Sequence, residues 1–411
     1  MHFLYNLALR IYVSGIRLAS FFNPKANIWL RGRKEVWDKL KNNIHPHERW
    51  IWFHCASLGE FEQGRPVIER VRKEAPEFKI LLTFFSPSGY EIRKNYTGVD
   101  LVTYLPADFP SNAQRFIHLV NPRLAVFVKY EFWINYLLAL QRNDTPTYLI
   151  SGIFRPSQHF FKWYGAFFRK GLSAFNHFYV QNETSVKLLE SLGFHNITLS
   201  GDTRFDRVVQ QVAYFEEIPL LQQWAPAHQV IVGGSLWPAD FELLLPFIRK
   251  HPEYSFILVP HEPEPARLRR MKDRIGPNAR LWSESDPDTI RKTQVIIVDT
   301  VGLLSRIYRY AAVAYIGGGF GAGIHNILEA AAYGKPVIFG PNHKKFVEAL
   351  ELIEREGAKS ISDANGLEEA LLHFVQSQNQ GHAGHICKSY VESHAGATEI
   401  IVKDLLNQLR D

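Results

Sequence analysis

Residues 50–60 read Trp-Ile-Trp-Phe-His-Cys-Ala-Ser-Leu-Gly-Glu, and residues 230–235 read Val-Ile-Val-Gly-Gly-Ser. Each stretch opens with a short apolar run, which predicts a buried strand, and each leads into a segment with helical character. The second stretch repeats the organisation of the first after about half the chain. The sequence therefore predicts an α/β protein in which the same pattern starts twice.

Further strands are predicted at intervals along both halves, with helical segments between them. The predicted strands are Trp50–His54, Lys79–Phe84, Leu101–Tyr104, Leu124–Val128, Tyr148–Ile150, Phe178–Gln181 and Ile197–Ser200, followed by Val230–Val232, Phe256–Pro260, Val295–Val298, Val313–Ile316 and Pro336–Phe339. This alternation is typical of parallel sheets covered by helices on both faces. In such sheets ligands bind beyond the carboxyl ends of the strands, and with two such domains the cleft between them is the expected site.

The domain organisation follows from the length. The 411 residues suit two domains of about 200 residues, a usual domain size. We expect an N-terminal helix and basic segment over residues 1–45, a Rossmann-like domain over 46–210 and a second Rossmann-like domain over 211–411.

The composition excludes several classes of protein. With 46% hydrophobic and 21% charged residues, the chain has ample material for folded cores and is not of the disordered type. Two cysteines, Cys55 and Cys387, cannot build a disulfide framework or a cysteine-rich zinc site. The net charge of +6 is modest for this length, so we expect no nucleic-acid partner, whereas anionic lipid or a phosphorylated substrate suits it.

The first 22 residues are apolar but contain Arg10 and Arg17. A spanning helix needs about 20 residues with few charges, and a secretory signal places its basic residues ahead of the apolar run. Apolar residues such as Leu7 and Ile11 recur at helical spacing, which favours an amphipathic helix lying in a membrane interface. The alternative is an ordinary first helix packed on the protein body.

A basic segment follows this helix and would be attracted to an anionic leaflet. Its cations are Lys25, Arg31, Arg33, Lys34, Lys39 and Lys41, against Glu35 and Asp38.

Two carboxylates follow predicted strands. Glu60 comes just after the first strand, where it can act as a general base or form a capping box with Ser57, and the two roles are compatible. Glu131 follows the strand Leu124–Val128 and is placed either for ligand contact or for an ion pair with a base such as Lys129.

Two glycine-rich segments follow strands of the second half. Gly233-Gly234-Ser235 and Gly317–Gly323 can offer backbone N–H groups to a phosphate. The second leads to Asn326 and Glu329, which suits a nucleotide whose ribose hydroxyls meet the glutamate. Neither segment has the dinucleotide or Walker spacing, and the alternative for both is a flexible connection.

Metal-binding patterns are weak. Asp286-Pro-Asp288 is a D-x-D sequence in a polar loop, and the 17 histidines have no metal-ligand spacing. We therefore expect no metal and no cofactor.

Six short motifs follow one another along the chain. They are Ser57-Leu-Gly59-Glu60, Glu131-Phe-Trp133-Ile-Asn135, Gly201-Asp-Thr-Arg204-Phe205-Asp206, Val259-Pro260-His261-Glu262-Pro263-Glu264, His325-Asn326-Ile-Leu328-Glu329, and Gly334-Lys335-Pro336-Val337 with Gly340-Pro341. In this order they resemble the motifs of the Kdo transferases, which attach 3-deoxy-D-manno-octulosonate (Kdo) to the lipid A precursor. Each motif is modest alone, but the ordered set, ending at about residue 357, is specific.

The resemblance implies a GT-B fold, with two Rossmann-like domains facing across a cleft. The domain at 46–210 would bind the acceptor and the one at 211–411 the CMP sugar. It implies an inverting glycosyltransferase that moves Kdo from CMP-Kdo to the lipid A precursor (lipid IVA) in lipopolysaccharide core biosynthesis. Glu60 would be the general base and Glu131 a second catalytic residue. Expected donor contacts are His261, Glu262, Val301, Gly302, Leu303, Asn326, Ile327, Leu328 and Glu329, together with Gly234 and Ser235.

The implied partners are CMP-Kdo, the lipid A precursor and an anionic membrane surface. The implied location is the cytoplasmic face of the inner membrane, as a peripheral or monotopic protein.

The chain departs from the family pattern at four positions. Lys129 stands where an acidic residue is frequent, and Ile134 and Ile327 replace prolines. His261 replaces an arginine that would offer a bidentate phosphate contact. Two other classes stay open: another GT-B nucleotide-sugar transferase or epimerase, and a non-catalytic, membrane-bound nucleotide-sugar binding protein.

Overall fold

A computed structural model describes residues 1–225 and 229–410, which form two compact units. The first unit runs from Met1 to Arg207 and takes up the chain again from Ala395, and the second runs from Val208 to His394. The expected second domain, 211–411, therefore extends too far. The C-terminal helix belongs to the first unit.

The first unit contains seven strands. They are β1 Trp50–Cys55, β2 Lys79–Phe84, β3 Leu101–Tyr104, β4 Leu124–Val128, β5 Thr147–Gly152, β6 His177–Val180 and β7 Ile197–Leu199. Its helices are α1 His2–Ala19, α2 Pro24–Lys34, α3 Val36–Asn43, α4 Leu58–Glu74, α5 Pro87–Arg93, α6 Pro110–Val120, α7 Ile134–Arg142, α8 Ala166–Leu172, α9 Glu183–Glu190, the N-terminal part of α10 Thr203–Ala213, and α20 Ala397–Arg410.

The second unit also contains seven strands. They are β8 Val230–Leu236, β9 Ser255–Pro260, β10 Ala279–Leu281, β11 Val295–Ile297, β12 Val313–Ile316, β13 Val337–Phe339 and β14 Ala358–Ser360. Its helices after α10 are α11 Pro219–Trp224, α12 Pro238–Lys250, α13 Pro265–Ile275, α14 Pro287–Ile290, α15 Leu304–Ile307, α16 Leu328–Ala332, α17 Val347–Glu354, α18 Ala364–Val375 and α19 Ser377–Ser393.

Both sheets are parallel, and in each the strand order reverses at one central point. The first sheet is ordered β3-β2-β1-β4-β5-β6-β7 and the second β10-β11-β9-β8-β12-β13-β14. The order reverses between β1 and β4 in the first sheet, and between β8 and β12 in the second. Ligands of open α/β sheets bind at such switch points, beyond the carboxyl ends of the strands.

The central strands are buried on both faces, which explains their continuous apolar sequences. Every residue of β1 and of β4 is buried, and Trp52 lies at the centre of the packing against Phe116, Phe127 and Tyr136. Burying an aromatic side chain of this size contributes about 1.5–3 kcal/mol, so these strands form a rigid base for the residues that follow them.

The C-terminal helix α20 packs on the first sheet. Its buried Ile401, Val402 and Leu405 join the core formed by β1 and β2. The carboxylate of Asp206 accepts hydrogen bonds from the N–H groups of Gly396 and Thr398, at 2.7 and 3.2 Å. These contacts are the physical reason why the first unit includes the end of the chain.

The sequence-based elements differ from the structure at a few places. The strands β10 and β14 were not expected, since each has three residues and lies at a sheet edge. The helix expected at Pro66–Glu74 starts earlier, at Leu58, and contains Pro66 in its interior.

The first helix turns its polar side chains toward the protein body. The Tyr5 hydroxyl donates to Asp108 at 2.6 Å, and the Asn135 amide donates to Asn6 at 2.9 Å, while His2 lies 2.7 Å from the Asn135 oxygen. Burial raises the pKa of Asp108 to about 7, although hydrogen bonds from Tyr5 and from the backbone oppose that rise. The helix is therefore fixed by polar contacts.

The opposite side of α1 and the segment after it are apolar and exposed. The exposed residues are Phe3, Leu4, Leu7, Ile11, Tyr12, Leu18, Phe21 and Phe22. Within residues 1–225 and 229–410, no helix combines the length and the apolar character needed to cross a membrane.

Candidate active site

The switch point of the first sheet brings the two predicted carboxylates to one edge. Glu60 lies in the first turn of α4, directly after β1, and Glu131 follows β4, which pairs with β1 in parallel register. Both residues are buried, with 9% and 8% of their surface exposed. Carboxylates that are buried at a switch point, where ligands bind, are candidates for catalytic or ligand-binding residues.

The Glu60 side chain is held at the start of α4. Its Oε2 accepts hydrogen bonds from the Ser57 N–H, at 2.9 Å, and from the Ser57 hydroxyl, at 3.3 Å. This is the capping interaction expected from the sequence. Both bonds fall on Oε2, so the carboxylate is oriented while Oε1 stays available to accept a proton.

Burial and a neighbouring carboxylate tune Glu60. Burial, followed by the negative charge of Glu131, raises the pKa of Glu60 from 4.5 to about 7. The two hydrogen bonds from Ser57 and the positive charge of Lys129 act in the opposite direction. A carboxylate with a pKa near the working pH is suited to general-base catalysis.

Glu131 lies beside a buried histidine. Its Oε2 is 3.4 Å from Nε2 of His54, which replaces the expected Lys129 as its basic neighbour. The Trp133 indole N–H donates to the same Nε2 at 2.9 Å, and Nδ1 of His54 lies 2.8 Å from the Thr83 hydroxyl. Because Nε2 accepts from Trp133, the network assigns His54 as the neutral Nδ1–H tautomer, and the contact with Glu131 is not an ion pair.

Lys129 adopts a left-handed backbone conformation, with φ 68°, immediately after β4. Such strain is uncommon outside glycine and is concentrated at functional sites. Burial and the positive charge of Arg204 lower the pKa of Lys129, whereas Asp202 and Glu60 raise it. The residue that departs from the family pattern is thus a cation electrostatically linked to Glu60.

In the second unit, Gly233-Gly234-Ser235 does not form the turn expected before a helix. All three residues lie within β8, and α12 begins only at Pro238. Ser235 has φ 52° and the pairing register with β9 shifts here. Gly234 is needed because a Cβ would overlap the hydroxyl of Tyr308. Its role is therefore close packing.

The Gly317–Gly323 segment follows β12, but most of its amides are already used. The N–H groups of Gly317 and Gly318 donate to the Gly234 carbonyl and to Asp240, at 2.9 and 3.0 Å. Those of Gly321 and Gly323 donate to the Gly318 carbonyl. The expected phosphate cradle is thus largely satisfied internally, and the glycines instead allow close approach to neighbouring backbone.

Three aromatic side chains stack at the switch point of the second sheet. The ring centroids of Trp237 and His261 are 4.7 Å apart, and those of His261 and His325 are 4.4 Å apart. The Trp237 N–H donates to Nε2 of His325 at 3.0 Å. Burial and the proximity of His261 lower the pKa of His325, and Asp240 opposes this. Trp237 was not expected from the sequence, although its position directly after the Gly-Gly-Ser strand is a usable signal.

The other predicted donor contacts differ in how exposed their side chains are. Val301, Gly302, His261 and Glu262 are exposed and Leu303 is half-buried, whereas the side chains of Ile327 and Leu328 are buried. Asn326 caps the N–H of Leu328 and donates to Glu329, at 3.1 and 3.2 Å. Burial and Arg309 lower the pKa of the nearby motif residue Lys335 to about 8.

The D-x-D sequence serves a local turn. Asp286 caps the short helix α14 by accepting from the N–H groups of Asp288 and Thr289, at 2.9 Å each. No group of three or more His, Cys, Asp or Glu side chains in the described part of the chain is arranged to hold a metal ion.

Solved structures define the class of the fold. The UDP-GlcNAc 2-epimerase from Neisseria meningitidis superposes with a TM-score of 0.61 at 15% identity, covering 87% of this chain and 100% of its own. A calicheamicin glycosyltransferase superposes with a TM-score of 0.57 at 12% identity, covering 88% of this chain and 98% of its own. The protein has the two α/β domains of the GT-B fold.

Sequence comparisons then show which family the chain resembles. Residues 30–207 match the family described as 3-deoxy-D-manno-octulosonic-acid transferase (kdotransferase). The 3-deoxy-D-manno-octulosonic acid transferase of Haemophilus influenzae is 27% identical over 357 residues, which cover 83% of each chain. That of Aquifex aeolicus is 28% identical over 316 residues, covering 75% of this chain and 80% of its own. The chain is thus similar in sequence to Kdo transferases over most of its length.

Proposed function

We propose that this protein is an inverting glycosyltransferase that moves Kdo from CMP-Kdo to the lipid A precursor, with Glu60 as general base. The observation that carries the proposal is the Glu60 carboxylate itself. It is buried at the switch point of the first sheet, oriented by Ser57 and raised in pKa to about 7. The relationship to the Kdo transferases supports the donor and the acceptor.

The reaction needs one proton transfer and one displacement. The acceptor's primary hydroxyl attacks the anomeric carbon of Kdo, while the bond from that carbon to the CMP phosphate breaks and its electron pair leaves with the phosphate. Glu60 takes the hydroxyl proton, which makes the oxygen a better nucleophile. Attack from the face opposite to the leaving phosphate inverts the anomeric centre.

The donor is assigned to the second unit. The exposed His261, which stacks on Trp237 and lies beside His325, replaces the arginine expected at its position and can contact the CMP phosphate. Glu329, held by Asn326, is placed for the ribose hydroxyls. Lys335 is a further candidate for the phosphate, and Lys344 and Lys345 add positive charge to the same motif region. The residues present supply cations and rings for a nucleotide monophosphate.

The acceptor carries acyl chains, and the first unit has a surface that suits them. The apolar side of α1 is exposed because its polar residues bond to Asp108 and Asn135. An amphipathic helix with this orientation lies on a membrane, and the basic residues of α2 favour an anionic leaflet. These features support membrane association, and the similarity to Kdo transferases supports our proposal that the membrane is the inner one and the face cytoplasmic.

The test is a direct transfer assay. The protein is incubated with CMP-Kdo and a tetra-acylated lipid A precursor, and the product is weighed by mass spectrometry. The wild-type protein should add the mass of Kdo, and Glu60→Gln should lower the rate by about 10²–10⁴-fold with the fold retained.

The matched control is Glu62→Gln, which removes a carboxylate two residues away whose ion pairs are with Arg65 and Arg93. It should transfer at close to the wild-type rate. Wild-type protein that gives no product, or Glu60→Gln with full activity, would refute the proposal. Replacing CMP-Kdo by a UDP-sugar tests the donor, and transfer from that donor alone would point to a different transferase.

A further inference from the structure

A groove runs along α1 on the side facing α2 and α6. One part of it has a volume of about 580 Å³ and is lined by Arg10, Arg17 and Ser111, among others. A second part, of about 400 Å³, is lined by Trp29 and Lys34. Val13, Arg17 and Phe109 line both parts, so the two are continuous, and we call the whole the α1 groove.

The rim of the α1 groove is cationic. Arg10, Arg17 and Lys34 are exposed, and none of them forms an ion pair within residues 1–225 and 229–410. Asp108, the carboxylate that anchors α1, is buried and already accepts a hydrogen bond from Tyr5. Three cations without a carboxylate partner around one cavity favour an anionic ligand, and arginine suits phosphate oxygens in particular.

The floor of the groove adds apolar surface and the start of a helix. Val13, Trp29 and Phe109 provide the apolar part. Trp29 is only 6% exposed and contributes part of its ring surface, since its indole nitrogen is itself buried. No side chain caps the first turn of α6, where Pro110 and Ser111 line the groove. The ligand that fits is amphiphilic, with a phosphate at one end.

The groove opens at the same edge of the sheet as Glu60. The helix α6 follows β3 and α4 follows β1, so both start beyond the carboxyl ends of parallel strands. The strand β3 is two positions from β1, which corresponds to about 10 Å across the sheet. Asn6, in the groove wall, accepts a hydrogen bond from Asn135. Asn135 lies two residues after Trp133, whose indole N–H donates to His54 in the Glu131 network. An amphiphile held in the groove therefore lies at the same edge of the sheet as the candidate base.

We propose that the α1 groove binds a phosphate group of the glycolipid acceptor through Arg10 and Arg17. This inference rests on the proposed function for the identity of the acceptor. Bulk phospholipid is the other source of a lipid phosphate. The concave shape, the apolar floor and the position at the same sheet edge as Glu60 favour the acceptor, because a general attraction to the membrane needs only exposed charge.

The first experiment measures acceptor kinetics in neutral detergent. The double variant Arg10→Ala/Arg17→Ala is compared with Lys25→Ala/Arg31→Ala, which removes two exposed cations of α2 outside the groove. We expect the first pair to raise KM for the acceptor at least tenfold, with kcat and the KM for CMP-Kdo unchanged. It should also abolish the preference for the phosphorylated acceptor over a phosphatase-treated one. An unchanged acceptor KM, or an equal rise in the control, would overturn the proposal.

A second experiment does not depend on Kdo transfer. Octyl phosphate and octyl glucoside, both below their micelle concentrations, are titrated into the protein by calorimetry. The wild-type protein should bind octyl phosphate at least tenfold more tightly than octyl glucoside, and Arg10→Ala/Arg17→Ala should lose that difference. This result would stand even if the transfer assay failed, and absence of any preference would reject the groove as a phosphate site.

Sedimentation with phosphatidylglycerol vesicles separates the two lipid sources. If the groove variant and the α2 control lose vesicle binding equally while the acceptor KM stays at the wild-type value, Arg10 and Arg17 act in bulk membrane attraction and the acceptor site is refuted. If the groove variant sediments like the control but has the raised acceptor KM, the acceptor site is supported.

Discussion

The two parallel sheets of this protein both have a central switch point, but the residues there carry different chemistry. In the first, β1 and β4 end at two buried carboxylates, Glu60 and Glu131. In the second, β8 and β12 end at stacked rings and tightly packed glycines, with Trp237 bonded to His325. The backbone topology determines where a site lies, whereas the residues that follow the strands determine whether it moves a proton or holds a nucleotide.

The largest expected effect comes from replacing a glycine near each switch point, because the space around Gly234 and Gly59 differs. An added Cβ at Gly234 would overlap the buried Tyr308 hydroxyl, so Gly234→Ala should destabilise the second unit by about 3 kcal/mol. At Gly59, next to the candidate base Glu60, a Cβ meets no atom within 4 Å, and Gly59→Ala should be neutral or slightly stabilising. Urea unfolding of the two variants measures both effects. Equal stability losses would contradict the packing role assigned to Gly234.

Burial of the ionised Glu60 carboxylate should lower the stability of the first unit. The pKa of Glu60 is raised from 4.5 to about 7, so the folded state binds the proton more tightly than the unfolded state, and stability is lost as the pH rises across that range. Glu60→Gln should therefore stabilise the protein by on the order of 2 kcal/mol at about pH 8, and the gain should vanish at about pH 4. Thermal unfolding at the two pH values tests this, with Glu62→Gln as the control. A loss of stability at the higher pH would show that the capping bonds from Ser57 outweigh the cost of burying the charge.

The next prediction concerns the ring cluster of the second unit, formed by Trp237, His261 and His325, where we expect a smaller effect. Trp237→Phe keeps the stacking on His261 but removes the N–H that donates to His325. The lost bond fixes the His325 ring and contributes about 1 kcal/mol, so if the ring must be held in place to contact CMP, the nucleotide should bind up to roughly fivefold more weakly. The pKa of His325 should rise, because the donated bond favours the neutral ring. Calorimetry and NMR titration measure these quantities, and unchanged values in both would exclude the ring cluster from the donor site.

The smallest expected effect concerns Lys129. Its positive charge lowers the pKa of Glu60, so Lys129→Ala should raise that pKa further and move the acid limb of the rate profile to higher pH. Lys129→Arg keeps the charge and should leave the limb in place. An identical profile for the alanine variant would show that the lysine and the base are not coupled.

Much of this arrangement could be predicted from the sequence, because local signals determine it. The apolar runs of β1 and β4 and the spacing of Ser57 to Glu60 placed the carboxylates at strand ends and identified the cap. The rest depends on contacts between distant residues. The bond from Trp237 to His325 joins positions 88 apart, and the packing of α20 on the first unit cannot be read from its own sequence.

The glycine segments show a second limit. The pattern at Gly317–Gly323 predicts accessible amides, but Asp240 and neighbouring carbonyls satisfy them, and this competition becomes visible only in three dimensions. Similarly, α1 was expected to be amphipathic, but the sequence did not indicate that its polar side would bond to Asp108 and Asn135.

The most direct test of the central claim is the pH dependence of transfer. We predict that kcat/KM for Kdo transfer rises with pH through one ionisation near pH 7, which reports the Glu60 carboxylate. Glu131→Gln should move this ionisation to lower pH, because it removes the neighbouring negative charge, and Glu60→Gln should abolish it together with most of the rate. A profile that keeps the same ionisation in Glu60→Gln, with the rate undiminished, would contradict the account.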